Sequence, residues 1–159
     1  DNKTSLRSVL LKSYDLNGFV FFTNYNSRKS KEIESNPYVA LLFYFPSFSR
    51  EIRIEGICQR VSPEYSDNYF KTRSRDSQIA AWASKQSQSI NKENQILDDL
   101  QTIEDRFENK EILRPDFWGG YSVKPYYFEF WQGQPSRLHN RITYKLNKNK
   151  NWELGLLYP

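Results

Sequence analysis

Ser8-Val-Leu-Leu-Lys-Ser-Tyr14 and Phe19-Val-Phe-Phe-Thr-Asn-Tyr25, hinged on Asp15-Leu16-Asn17-Gly18, carry the reading of the fold. Both runs are apolar and aromatic, as strands prefer. The hinge ends in Asn-Gly, a dipeptide that tolerates the backbone of a tight hairpin. Two antiparallel strands are therefore expected.

Working outward, Ser27 is placed to cap a short helix running to about Ser35, closed by Asn36-Pro37. Tyr38 to Phe45 is a continuous apolar run and predicts a buried strand, and Glu51 to Val61 alternates and predicts another. Ser62-Pro63-Glu64 joins a capping serine, a proline at the first helical position and an acid in the first turn, so a helix is expected to about Arg73. Gln78 to Ser84 suggests a second short helix. Asn91 to Phe107 spaces Ile96, Leu97, Leu100, Ile103 and Phe107 as an amphipathic surface helix does. Tyr126 to Gln132, Arg137 to Lys145 and Trp152 to Leu157 bring the set to about six or seven strands. No repeat or linker interrupts them. The expected class is mainly β with inserted helices, a small antiparallel barrel forming one domain over residues 1–159.

Composition narrows the function. A net charge of +4 without a run of five Lys/Arg disfavours a nucleic-acid tail and suits discrete phosphate sites. No apolar run approaches the roughly 18 residues of a membrane span. Cys58 is the only cysteine, so no internal disulfide forms and a reducing, cytoplasmic setting is expected. Methionine is absent even at position 1, which reads as a fragment or processed chain. Aromatic residues reach 16%, enough to line a ligand cleft or a subunit interface, or to fill a β-rich core.

Three clusters suggest anion binding. Arg28 and Lys29 occupy a helix's first turn, where the macrodipole is already positive; a docked phosphate relieves the conflict, and the alternative is a solvated pair. Tyr69, Arg73 and, if the helix continues, Ser77 share one helix face and form a monoester-phosphate cradle, the alternative being a half-exposed face. On a strand, Arg137, His139 and Arg141 point the same way, and two guanidiniums flanking the only histidine favour a functional site. Trp131 sits six residues before Arg137. Arg7 and Lys12 bracket the first strand. One Cys and one His exclude the usual structural zinc site, and no metal is expected. No Gly-rich phosphate loop or nucleophile elbow is present. The pattern suits a phosphorylated aromatic ligand.

Arg7-Ser-Val-Leu-Leu-Lys12, Phe22-Thr23-Asn24, Ser27-Arg28-Lys29, Gln78-Ile-Ala-Ala-Trp-Ala-Ser84 with Gln86-Ser87, Trp118-Gly119-Gly120-Tyr121, Phe130-Trp-Gln-Gly133 and Pro135-Ser-Arg-Leu-His139 resemble, in order and spacing, the pyridoxine/pyridoxamine 5′-phosphate oxidase family. The resemblance implies an FMN-binding split barrel, a homodimer with FMN at the interface, and a missing N-terminal segment. It implies FMN contacts from Arg7, Lys12, Phe22, Thr23, Arg28, Lys29, Glu51, Gln86, Ser87, Trp131 and Arg141. Substrate contacts are implied for Lys12, Tyr69, Arg73, Ser77, Arg137 and His139, with Arg137 and His139 as the catalytic pair that holds and polarises the substrate. The implied reaction is oxidation of phosphorylated B6 vitamers to pyridoxal 5′-phosphate, with oxygen reduced to hydrogen peroxide.

The chain departs from the family pattern at five places. Glu51 stands where a Gln is usual, Ser74 for Pro, Asp76 for Gly and Asn140 for Asp, and the usual Arg-Leu-Ala-Pro ending is Leu156-Leu-Tyr-Pro159. An added carboxylate near a flavin needs a counter-charge, and Arg53 lies on the same strand face to supply it. These departures motivate a rival, an FMN-binding member with lost or altered substrate activity. A basic interaction domain would instead bind polyanions in a salt-sensitive way and hold no flavin.

Overall fold

The computed structural model describes residues 3–159. They divide into two compact units: the described residues up to Asn36 with Gln59–Ser122, and Pro37–Cys58 with Val123–Pro159.

In the first unit, β1 (Ser13–Asp15) and β2 (Gly18–Asn24) form the expected hairpin, with Asp15 opposite Gly18. The Asp15 carboxylate accepts the Asn17 N–H at 2.7 Å, and Gly18 takes φ 134°, which a side chain would resist. β1 is shorter than expected. Before Ser13 only the Lys12 N–H reaches Val20 C=O, at 2.9 Å, because Ser8, Val9 and Leu10 leave the ladder to line a cavity.

α1 (Arg28–Ser35) starts on Ser27, whose side chain accepts the Ser30 N–H. α2 (Pro63–Lys71) starts on Ser62 in the same way, through the Tyr65 N–H. The helix ends near Arg73 as expected and does not continue to Ser77, so the two residues do not share one helix. α2 ends at Lys71, and Ser74 caps a new helix, α3 (Arg75–Ala83), by accepting the Ser77 N–H. A serine side chain that can satisfy a free helix-start N–H favours that break over an interior position. α4 (Gln95–Arg106) turns Leu100 and Ile103 towards a core of Phe70, Ile79, Ala81, Ile112 and Trp118 and leaves Ile96 and Leu97 exposed.

In the second unit, β3 (Tyr38–Phe45) and β4 (Arg50–Arg60) pair antiparallel from Tyr38 opposite Ile57 to Phe45 opposite Arg50. β5 (Trp118–Gln132) pairs with β6 (Asn140–Leu146), and β6 with β7 (Trp152–Leu156). β4 and β5 have residues in both units, and the strand path runs β1-β2-β5-β4-β3. β3 is not the buried strand its apolar run suggested. It ends that path, so Tyr38, Leu42 and Tyr44 remain exposed while alternate residues are covered.

Two further strands start well away from where they were expected. β5 starts at Trp118 rather than Tyr126, because Gly119 and Gly120 let the strand lie against Tyr25 and Phe22, where side chains would clash. β6 starts at Asn140 rather than Arg137. Pro135–Arg137 forms a tight turn with Ser136 (φ 55°) and Arg137 (φ 63°) in left-handed backbone, so Arg137 and His139 precede the strand and do not alternate along it with Arg141.

Ile54, Cys58 and Val123 form the deepest part of the second unit, and burial pushes the Cys58 thiol up to about 12. Gly56 lies beside them. A Cβ there would stand 2.6 Å from Val123 Cγ1 and 2.7 Å from Lys124 C=O. Gly56→Ala is therefore expected to destabilise the protein by roughly 1–3 kcal/mol. Urea unfolding checks this, and an unchanged midpoint would count against the tight packing.

Candidate functional site

A cavity of about 620 Å³ opens in the first unit. Lys12, Phe22, Thr23, Lys29, Tyr69, Arg73, Ser77 and Gln86 line it, with Asn24, Ser84 and Trp118 among their neighbours. A second cavity of about 340 Å³ shares Ser8, Lys29 and Gln86 with it and adds Arg7, Arg28 and Ser87. All the site residues expected in this unit thus meet at two adjoining cavities.

Lys29 leaves the first turn of α1 and goes inside. Its Nζ donates to Thr23 Oγ1 at 2.7 Å and to Gln86 Oε1 at 3.1 Å, and Thr23 donates to the same amide oxygen at 2.9 Å. Burial, and then the charge of Arg7, lower the Lys29 pKa. Its partners are neutral oxygens, so its charge is not cancelled. Arg28 behaves differently. It stays exposed and donates to Glu32 at 2.8 Å, one helical turn on. Glu32 also accepts Arg7 Nη2 at 2.6 Å and the Ser5 hydroxyl. These bonds, that of Ser5 before that of Arg7, hold its carboxyl down at about 2. Glu32 was missed from sequence, although its four-residue spacing from Arg28 was the available signal.

Across the main cavity the helix break places Tyr69, Arg73 and Ser77 together after all. Tyr69 stacks on Phe22 with centroids 3.9 Å apart, and Lys12 Nζ lies 5.9 Å from the Tyr69 centroid. Ser77 Oγ is 2.8 Å from Ser74 Oγ at the start of α3. Arg73 Nη1 is buried and has no hydrogen-bond partner, and burial lowers the Arg73 pKa. A buried donor left unpaired costs free energy until an acceptor arrives. Phosphate oxygens meet that need, beside a helix start and with no carboxylate lining the cavity among the described residues. Asp76 is exposed and does not line this cavity.

The second unit holds Glu51, Trp131, Arg137, His139 and Arg141. Arg141 grips buried Glu129 with both carboxylate oxygens engaged, at 2.7 and 3.0 Å. Arg53 reaches Glu129 at 3.4 Å and holds Glu51 through two nitrogens, at 2.7 and 3.0 Å. The charge of Glu51 is therefore answered by Arg53, as the shared strand face required. Glu129, missed from sequence, is the centre of this ladder; the bonds from Arg141 keep its carboxyl below the usual range. The His139 ring lies 4.5 Å from Trp131, and its Nδ1 accepts the Gln134 N–H at 3.1 Å. A neutral imidazole in that bond carries its proton on Nε2. Arg137 is exposed at the end of its turn. Among the described residues no cluster of acids, His and Cys could hold a metal, and no helix is long and apolar enough to cross a membrane.

Residues 3–109 match the family model "Pyridoxamine 5′-phosphate oxidase", and residues 118–159 match "Pyridoxine 5′-phosphate oxidase C-terminal dimerisation region". A pyridoxine/pyridoxamine 5′-phosphate oxidase of Rubrobacter xylanophilus is 49% identical over 159 residues, 100% of this chain and 73% of that protein. One from Rippkaea orientalis is 49% identical over 155 residues, 98% and 73% of the two chains. Among solved structures, PhzG from Burkholderia lata, in complex with tetrahydrophenazine-1-carboxylic acid, is similar with TM-score 0.89 at 26% identity, over 98% of this chain and 75% of that one. A pyridoxamine 5′-phosphate oxidase-related, FMN binding protein from Nostoc punctiforme shares the fold, with TM-score 0.75 at 14% identity over 96% and 79% of the chains. The expected class holds: a split-barrel fold, mainly antiparallel, with seven strands and four inserted helices.

Because the Glu32 carboxyl is held down from 4.5 to about 2, its bonds stabilise the fold fully above pH 4.5 and lose that effect as pH falls towards 2. Glu32→Gln should flatten this part of the acid-stability curve. Urea titrations at stepped pH measure it, and identical slopes in both proteins would refute the linkage.

Proposed function

This chain belongs to the pyridoxine/pyridoxamine 5′-phosphate oxidase family, and on that premise we propose that it binds FMN and oxidises pyridoxine 5′-phosphate and pyridoxamine 5′-phosphate to pyridoxal 5′-phosphate. The observation that carries the proposal is the buried, unpartnered Nη1 of Arg73 in a cavity whose charged lining is all cationic. When bound, FMN would supply the redox chemistry, the transfer of two electrons from the substrate's C4′ centre to oxygen, which leaves as hydrogen peroxide; with pyridoxamine 5′-phosphate, water also replaces the nitrogen, which leaves as ammonia.

The protein's part is binding and orientation. Arg7, Arg28, Lys29, Gln86 and Ser87 line the smaller cavity and would hold the cofactor's phosphate end, with Phe22 and Thr23 alongside in the larger one. Lys12, Tyr69, Arg73 and Ser77 would take the substrate phosphate. Fixing that group turns the encounter of substrate and cofactor into an intramolecular one. In the second unit, Trp131 and the Gln134 N–H fix the His139 ring, so that with Arg137 it would hold and polarise the ring end of the substrate. Glu129 and Arg53 orient Arg141 and Glu51 in the same way. The match of residues 118–159 to a dimerisation region supports a homodimer, and in this reading FMN would lie at its interface. We also propose a cytoplasmic setting, in which the lone Cys58 stays reduced.

A second reading, a flavin protein acting on a different aromatic substrate, draws on the likeness to PhzG. It gives no account of why Arg73 Nη1 is kept buried and without a hydrogen-bond partner. The separating experiment supplies purified protein with FMN, records its visible absorbance and follows peroxide release. Turnover with pyridoxine 5′-phosphate but not with pyridoxine is expected. A yellow protein that is silent with both favours the second reading, and failure to retain any flavin overturns both. Arg73→Ala should raise KM for pyridoxine 5′-phosphate roughly 10- to 100-fold, as for a lost charge-assisted bond. Steady-state kinetics check this, and an unchanged KM would remove Arg73 from the site.

A further inference from the structure

The arginines of this chain have their charge answered in different ways. Arg53, Arg114 and Arg141 lie against carboxylates, and Arg60 pairs with Glu34. Arg73 has no such partner among the described residues. Its guanidinium carbon stands instead 4.6 Å from the Trp118 ring centroid and 5.6 Å from that of Phe70. The two rings meet edge to face, at 69° and 5.3 Å, and both are buried.

From this geometry we infer that Trp118, backed by Phe70, is a positioning residue for Arg73, holding the guanidinium at the cavity wall while leaving its charge and its donors for the substrate phosphate. The inference rests on the oxidase reading above. The physical reason lies in the donors. A guanidinium's five N–H groups seek oxygen acceptors, and an indole or phenyl ring carries no such acceptor to occupy them. A carboxylate partner would fix the group too, but it would occupy the in-plane donors and cancel the charge, so an incoming phosphate would have to displace it. The quadrupole of an aromatic face attracts the cation without doing either.

Trp118 is itself fixed in place. Its indole stacks on Phe22 at 5.3 Å and 13°, and Phe22 stacks on Tyr69. Its backbone is pinned at both ends of the residue. The N–H donates to Pro115 C=O at 3.0 Å, and its carbonyl accepts from Arg114 Nη1 at 2.6 Å. Arg114 is in turn held by Asp67 at 2.6 Å. A ring so constrained can set the orientation of the charge resting on it.

The test compares FMN-loaded wild type with Trp118→Phe and Trp118→Leu. Filling the cofactor site lets inorganic phosphate and pyridoxal 5′-phosphate report on the substrate site by calorimetry. Cation–π attraction of this kind predicts phosphate affinity lower by roughly threefold for W118F and tenfold or more for W118L. KM for pyridoxine 5′-phosphate should rise by matching factors, with the loss falling on KM rather than kcat and FMN affinity kept within about twofold. A merely structural role predicts otherwise: phosphate and FMN affinities would fall together with the unfolding temperature, which would overturn the inference. Unchanged phosphate affinity in W118F and W118L would overturn it as well. If W118L does not fold, W118F and Phe70→Leu carry the comparison. A wild type that binds phosphate without turnover faults the oxidase reading and leaves this inference to be judged by the affinities. A wild type that binds no phosphate overturns the inference itself.

Discussion

Positive charge without a counter-charge, gathered at one cavity, is the constraint that the first unit is built around. Lys12, Lys29 and Arg73 line that cavity and no carboxylate joins them among the described residues. Such a grouping is unfavourable in isolation, since burial penalises Lys29 and Arg73 and like charges repel. It survives because each cation is held by something other than an acid. Lys29 has the oxygens of Thr23 and Gln86, Arg73 has the faces of Trp118 and Phe70, and Lys12 lies near the Tyr69 ring. Several local features serve that arrangement. The chain leaves the hairpin before Ser13, α1 starts with two cations, and Ser74 breaks the helix that would have carried Ser77 past Arg73.

The second unit solves the opposite problem. There, Glu51, Arg53, Glu129 and Arg141 alternate in sign and cancel, with the buried Glu129 gripped by Arg141 through both oxygens. A neutral ladder orients its side chains without drawing an anion to itself. The departure at Glu51 is absorbed by this network, because residues two apart on β4 share a face and Arg53 is the nearer partner. The first unit thus carries the uncompensated positive charge, while the second presents fixed groups of defined direction, including a histidine whose ring nitrogen is committed to the Gln134 N–H.

Much of this was legible in the residues. The Asn-Gly hinge, the serine caps and the periodicity of α4 are local signals, and each element formed where they pointed. What failed depended on neighbours distant in sequence. The apolar run of β3 implies burial only if both faces are covered, and as the end of the strand path it has one face exposed. The alternation of Arg137, His139 and Arg141 presumed a strand, but Pro135 opens a turn with left-handed backbone. Trp118 read as part of a motif, because nothing local shows that its ring would meet Arg73. Glu129 sat unnoticed among aromatic residues on β5. A buried acid is read from sequence only when its partners are known, and Arg53 and Arg141 lie on two other strands. Ser77 was joined to Tyr69 and Arg73 on condition that one helix continued, and it is a helix break, not a continuous helix, that brings the three to one cavity.

Cys58 lies in the core of the second unit, with its thiol kept protonated, and the chain contains no methionine. Sulfur is the element in proteins most readily attacked by peroxide, through thiolates and exposed thioethers. An enzyme that releases peroxide at its own surface with every turnover bathes itself in that oxidant. This chain offers it almost nothing to react with: its one sulfur atom is shielded from solvent and in its unreactive form. On the oxidase reading proposed above, the packing of Cys58 would keep that sulfur out of reach of the peroxide each turnover releases.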